Sequence, residues 1–264
     1  MDENNEKISI FVSSCDKYAW LWDIFFEMFE KHWPDCPYTI YLSSNTVEYK
    51  RKNVNVIFSG PDENWSRSLY LNLEKVHTPF ILYIQDDFIL EKDVNTNLIQ
   101  QTFKLLKENH GSYVKLNDKD IPDVPDHQIF LNPIRPGQDY RLSLQAALWD
   151  KSFFQTMIKD GETPWEFEQN SVKKTIYITD KIYAASHKLL TYYYGGIAHR
   201  GKIPWNFYLK LKKNVGLIDR TKLMDTISFI NWIIWYVYEK IPFKNVVPIN
   251  LVLRIKNSIS SIKR

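Results

Sequence analysis

The sequence predicts an α/β protein: a mainly parallel, Rossmann-like sheet flanked by helices, with a helical, basic C-terminal appendage. Three observations predict it. Segments of β character alternate with segments of helical spacing through the N-terminal half, the pattern of successive βα units. The run Phe80-Ile81-Leu82-Tyr83-Ile84 is continuously apolar, as strands covered on both faces are. It ends in Gln85-Asp86-Asp87, a polar tip where the ligand crevices of open α/β sheets lie.

Taken in order, Lys7 to Ser14 alternates as a first strand and ends in small polar residues. A helix is predicted from about Tyr18 to His32, with Leu21, Ile24, Phe25, Met28 and Phe29 at helical spacing and Pro34 and Pro37 closing it. Tyr38 to Leu42 reads as a second strand, followed by Ser43-Ser44-Asn45. Val54 to Phe58 reads as a third, ended by the turn Ser59-Gly60-Pro61-Asp62. Trp65 to Val76 is helical, with Asn64 suited to cap it. After the Phe80 strand come a helix over Asn95 to Glu108 and a strand over Ser112 to Leu116. Asp118 to Gly137 is polar and proline-rich with no period, which predicts a lid or binding loop. Tyr140 to Leu148 resumes β character, Lys151 to Lys159 is a short helix, and Gly161 to Glu168 follows with two acids spaced i, i+2 beside a tryptophan. Ile176 to Ile178, Ile182 to Ala185 and Leu189 to Tyr193 are short strand candidates. The predicted organisation is a catalytic domain over 1–205 and a basic, aromatic helical segment over 206–264.

Composition narrows the function. The net charge of +3 conceals a division: from His199 onward stand 13 Lys/Arg against Asp219, Asp225 and Glu239, so the tail carries +10 and the body −7. A basic tail rich in Trp and Tyr suits an anionic membrane surface. The run Ile227 to Tyr238 is too short to span a bilayer and suits an interfacial helix, or a helix packed on the domain or on a second subunit in a homo-oligomer. No nucleic-acid motif is present, and the acidic body opposes such a partner. The two cysteines, Cys15 and Cys36, and the acidic, polar start lead to the expectation of free thiols in a reducing, cytoplasmic setting, peripheral at the inner face of the membrane. No Gly-x-Gly-x-x-Gly follows the first strand and no Walker A sequence occurs, which argues against dinucleotide and P-loop enzymes.

The paired acids are the main chemical signal. Adjacent carboxylates at a buried strand end repel each other and call for a cation, donors or open water; Mg²⁺ or Mn²⁺ is the economical partner. Glu166 and Glu168 offer a second pair of acids beside Trp165.

This arrangement resembles a GT-A-fold, nucleotide-sugar-dependent glycosyltransferase of the bacterial surface-polysaccharide type, over about residues 7 to 202. The resemblance implies that Ser13, Ser14 and Asp16, after the first strand, grip the nucleotide, with Arg67, Gln85 and Asp86 also on the donor side. Gln85-Asp86-Asp87 resembles the family's Asp-x-Asp motif, so Asp87 would ligate the metal. His199 would be a late metal or diphosphate ligand, with Arg200 and Lys202 beside the diphosphate. Glu166 or Glu168 would serve as the base, and Trp165, Arg141 and Gln145 would meet a glycan or lipid-linked acceptor. Gln85 departs from the motif by replacing its first acid, so metal-independent binding through Arg200 or Lys202 stays open. Two other classes remain: a metal-dependent nucleotidyltransferase or hydrolase on a similar sheet, and a non-catalytic membrane-binding module.

Overall fold

The computed structural model describes residues 7–117, 129–178, 181–193, 196–198, 201–215, 222–225, 228–230 and 233. The chain divides into two compact units, Met1–Gly196 and Ile197–Arg264.

The first unit is the predicted α/β sheet. Its strands are β1 (Ile8–Ser13), β2 (Thr39–Ser44), β3 (Val54–Phe58), β4 (Phe80–Gln85), β5 (Gly111–Lys115), β6 (Leu131–Pro133), β7 (Ala147–Asp150) and β8 (Lys181–Ala185). They lie in the order β3-β2-β1-β4-β7-β5-β8-β6. The first four are mutually parallel, as βα connections require. The other half is mixed: β7 runs antiparallel between β4 and β5, β8 is parallel to β5, and β6 returns antiparallel along β8.

The helices are α1 (Trp22–His32, preceded by a 3-10 turn over Asp16–Leu21), α2 (Trp65–Glu74), α3 (Thr96–Glu108), α4 (Lys151–Met157) and α5 (Pro164–Lys174). Asn64 and Asn95 cap α2 and α3 by accepting from Arg67 N and Leu98 N. The β4 strand shows why its sequence is apolar throughout. Tyr83 packs with Phe11, Tyr113 and Trp149 against Leu69, Leu73, Phe154 and Phe167 of α2, α4 and α5. The alternate residues Leu82 and Ile84 are also buried, and Phe80 meets Phe103 of α3 with ring centroids 5.1 Å apart. Trp149 and Phe154 stack at 4.0 Å. Truncating a side chain so placed costs about 3–5 kcal/mol.

The structure departs from or adds to expectation in five places. Only the end of the Tyr140–Leu148 stretch is strand, because Leu144 N and Ala146 N donate to side chains (Glu168 and Tyr192) instead of to a ladder. Within the expected loop, Leu131–Pro133 forms the edge strand β6, where a proline is tolerated, while 118–128 lie outside the described residues. The Gly161–Glu168 segment is mostly helix: Thr163, Pro164 and Glu166 start α5 with a capping box and a proline in its first turn. Ile176 to Ile178 is the turn after α5, and of Leu189 to Tyr193 only Tyr192 makes a bridge, to Leu90. The fifth is a defined helix in the second unit, α6 (Trp205–Val215), inside a segment read from the sequence only in general terms as helical.

The second unit also holds a parallel bridge between Ile203 and Leu223. Asp225 accepts from Ser228 N at 3.0 Å, so it caps the turn that opens the expected late helix. Most of Ile227–Tyr238 lies outside the described residues. No helix among the described residues is long and apolar enough to cross a membrane.

Candidate active site

The parallel strands end together, and the site is built where they stop. β4 closes at Gln85, and the backbone turns at once: Phe88 N donates to Gln85 O at 3.1 Å and Asp86 N to Ser13 O at 3.2 Å. Adjacent side chains of a straight strand would take opposite faces; the turn lifts that rule for Asp86 and Asp87.

Asp86 is 6% exposed and tied to β1. Ser14 Oγ donates to its Oδ2, and Trp22 Nε1 donates to Ser14 Oγ at 2.7 Å. Among the described residues the Asp87 Oδ1 is buried without a hydrogen-bond partner. Gly196 sits directly on this carboxylate in the left-handed region (φ 78°), and any Cβ there would collide with Asp87. Burial pushes both carboxyls well above the usual range, and for Asp87 the Asp86 charge adds to it. A shielded acid pair with one oxygen orphaned among the described residues fits a hard divalent cation. Among the described residues no three His, Cys, Asp or Glu side chains form a cage. That is compatible with Mg²⁺ or Mn²⁺, which bind through one or two carboxylates and complete their shell with water and phosphate oxygens.

Glu168 stands at the same end of the sheet. Its Oε1 accepts from Ser143 Oγ at 2.9 Å and Leu144 N at 2.8 Å, just before β7, whose Ala147 pairs with Tyr83 of β4. The Tyr83 phenol is pushed up first by burial and then by the charges of both Glu168 and Asp87. Anchoring through Oε1 leaves Oε2 the capacity to take a proton. Glu166 is different. Its Oε2 accepts from Thr163 N and Thr163 Oγ1, both at 2.8 Å, and those bonds hold its carboxyl below the usual range on an exposed helix start. The structure therefore corrects Glu166 from candidate base to helix cap.

The ends of β1, β2 and β3 carry a network of small polar side chains. Asp16 accepts from Ser44 Oγ, Asn45 N, Thr46 N, Thr46 Oγ1 and Val47 N at 2.6–3.2 Å. Burial opposes its ionisation, but the bonds from Thr46, Val47 and Ser44 outweigh it and hold the carboxyl well below the carboxylate range. Its lone pairs are occupied in folding the 44–47 loop, which corrects the expectation that Asp16 grips a nucleotide. Asn45 reaches Ser59 Oγ and Ser68 Oγ, and Asn72 donates to Ser43 Oγ at 2.8 Å. Ser13 and Ser14 direct their hydroxyls to Tyr83 and Asp86.

The remaining candidates separate. Gln85 Nε2 lies 3.4 Å from the Tyr83 hydroxyl. Arg67, on exposed α2, pairs with Glu63 at 2.8 Å. Arg141 is 4% exposed and donates to the carbonyls of Ile134 and Thr175, so it braces the chain and is corrected as an acceptor contact. Gln145, half-buried, accepts from Tyr192 through Oε1. Trp165 is 72% exposed at the start of α5, open to a ligand. Lys202 is exposed in the second unit, and His199 and Arg200 lie outside the described residues. Burial and then the Asp86 charge push the Cys15 thiol up to about 11, which disfavours its thiolate.

Sequence reasoning missed Ser143, Tyr192 and Gly196. Tyr192 belongs to a Tyr192-Tyr193-Tyr194 run that reads as core, and nothing local marks Ser143 as the anchor of Glu168.

No family model matches the chain, and no curated protein matches it. Solved structures do resemble it in fold. The structure of S. aureus TarS 1-349 in complex with UDP-GlcNAc aligns with a TM-score of 0.49 at 11% identity, covering 90% of this chain and 77% of that one. In another TarS 1-349 structure the figures are 0.47, 11%, 70% and 59%, so the chain there spans less than two thirds of its relative. The apo-form glycosyltransferase GlyE of Streptococcus pneumoniae aligns at 0.38 and 13% identity, covering 68% of this chain and 45% of its own. A cytidylyltransferase from Leptospira borgpetersenii aligns at 0.40 and 11%, covering 71% and 82%. These are likenesses of fold at low identity; the chemistry rests on the residues at the strand ends.

Proposed function

We propose that this chain is a nucleotide-sugar-dependent glycosyltransferase that passes a sugar to a glycan or lipid-linked acceptor in bacterial polysaccharide or lipopolysaccharide synthesis. One observation carries the proposal: a shielded acid pair with an orphaned Asp87 oxygen shares the end of β4 with an anchored, half-buried glutamate, Glu168. Sugar transfer needs this division of labour. The donor side must hold a diphosphate, and the acceptor side must take a proton from a hydroxyl.

Asp86 and Asp87 would hold Mn²⁺ or Mg²⁺, and such an ion when bound offsets the negative charge of the departing nucleoside diphosphate. The polar ends of β1 to β3 receive the nucleoside, with Asp16 keeping the 44–47 loop in shape. Glu168, held by Ser143 and Leu144, accepts the proton of the acceptor hydroxyl as that oxygen bonds to the anomeric carbon. Trp165 offers an exposed aromatic face for a sugar ring of the acceptor.

The test is a panel of nucleotide sugars with Mn²⁺ and a glycan acceptor, read by nucleotide product. Release of a nucleoside diphosphate with gain of a sugar on the acceptor is expected. Release of pyrophosphate from a nucleoside triphosphate would replace this reading with nucleotidyl transfer, and no turnover of any donor would end it.

A peripheral membrane position is part of the proposal. α6 exposes Trp205 and Leu209, one turn apart, and Lys210 and Lys212 are also exposed. The full chain is expected to float with vesicles containing anionic lipid, and Trp205→Ala with Leu209→Ala to weaken this severalfold. Equal flotation of the variant would remove α6 from that role.

A further inference from the structure

The stretch Leu189–Tyr193 lies along the acid turn as a short strap. Glu91 N donates to Thr191 O at 2.8 Å and Tyr193 N to Ile89 O at 3.3 Å, around the antiparallel bridge of Leu90 with Tyr192. Gly196, three residues on in the sequence, rests on the Asp87 carboxylate.

Tyr192 reaches both arms of the site. Its ring stacks on Phe88, next to Asp87, with centroids 4.6 Å apart and planes 8° from parallel. Its hydroxyl donates to Gln145 Oε1 at 2.9 Å and accepts from Ala146 N at 3.0 Å. Gln145 N donates to Ser143 Oγ at 3.2 Å, and Ser143 Oγ donates to Glu168 Oε1 at 2.9 Å. Tyr192 is 3% exposed, so it acts on the arms and not on a ligand.

We propose that Tyr192 is a positioning residue that sets the interval between Asp87 and Glu168 by joining the turn that carries one to the loop that anchors the other. The inference rests on the glycosyl-transfer reading for the role of that interval. Its physical content is a mechanical link that the unliganded protein already has. A misplacement of reacting groups by about 1 Å costs on the order of 10²-fold in rate, so a link of this kind shows in turnover before it shows in binding.

The experiment uses the full chain and Tyr192→Phe, which keeps the stack on Phe88 and removes the hydroxyl, beside Phe88→Leu, which breaks the stack and keeps the hydroxyl. Both are expected to lower kcat by about 10- to 100-fold with donor KM changed less than about threefold. A second arm needs no turnover: the shifts in melting temperature caused by Asp87→Asn and Glu168→Gln are measured singly and together. They are expected to be non-additive in the wild-type background and additive once Tyr192 is Phe. Unchanged kcat in Tyr192→Phe, a parallel collapse of KM and kcat, or coupling that survives the substitution would each overturn the proposal. Survival would mean that the two charges sense each other directly. A wild-type protein that turns over no donor would sink the glycosyl-transfer reading, and the coupling arm would still decide for or against Tyr192.

Discussion

Glu168→Gln is expected to lower sugar transfer by about 10²- to 10⁴-fold, while Glu166→Gln leaves it within about twofold. The two glutamates are two residues apart, and sequence alone leaves them equivalent. The helix separates them. Pro164–Lys174 starts with a capping box that occupies Glu166 Oε2 with Thr163 N and Thr163 Oγ1, a task of local folding. Glu168 turns to the sheet and is gripped on one oxygen by Ser143 and Leu144. Glutamine keeps an acceptor at that oxygen, so Glu168→Gln retains the anchoring bonds and loses the basic site alone. The measurement is kcat from initial rates of nucleoside diphosphate release, with the melting temperature of each variant as the check on folding. A harmless Glu168→Gln would remove the base assignment. Equal losses in both variants would show that α5, and not Glu168, is what the reaction feels.

The parallel half of the sheet was legible because each of its elements announces itself locally. Phe80–Ile84 is apolar at every position since both of its faces are covered, and Asn64 and Asn95 stand where α2 and α3 need caps. The mixed half was not, for a reason of partners and not of periodicity. β7 is an antiparallel strand inserted between β4 and β5, and nothing in Ala147-Leu148-Trp149-Asp150 says which strands it will join. Residues 140–146 have β-like composition, yet Leu144 N and Ala146 N bond to side chains brought from far along the chain. In α5 the signal was present, since Thr163-Pro164 followed by Glu166 is a helix start, and it was outweighed by the acids that draw attention to chemistry. The acid pair was found from sequence because two charges closing an apolar run is a local anomaly. Its orphaned oxygen and its glycine neighbour are facts of the fold.

Asp87→Asn is expected to have two opposite effects: a loss of transfer by at least about 10²-fold and a more stable unliganded protein. The first follows if the buried oxygen is what gathers the diphosphate through a cation. The second follows from burial. Asn has the shape of Asp, fits beneath Gly196, and removes a buried charge whose Oδ1 has no hydrogen-bond partner among the described residues, a relief of about 1–3 kcal/mol. For a chain of this size that is several degrees in melting temperature, at roughly 2–4 °C per kcal/mol. The pH dependence fixes the sign independently. Burial, with mutual repulsion for Asp87, raises the native values of the pair above the unfolded carboxyl value of about 3.9. The folded chain therefore holds these protons more tightly than the unfolded one. The resulting stability is complete below about pH 4 and is lost as pH rises through the raised native values. Asp16, held low by its hydrogen bonds, works the other way: its contribution is lost below about pH 4 as pH falls toward its lowered native value. Wild-type melting temperature is thus expected to decline from about pH 5 to pH 8, and Asp87→Asn to flatten that decline. Mn²⁺ at pH 8 is expected to restore the wild type and leave the variant unmoved, because a ligand of the native state stabilises only where its site exists. A wild-type profile that is flat, or an Asp87→Asn protein that melts lower and still responds to Mn²⁺, would show that this carboxylate is neither uncompensated nor the cation's holder.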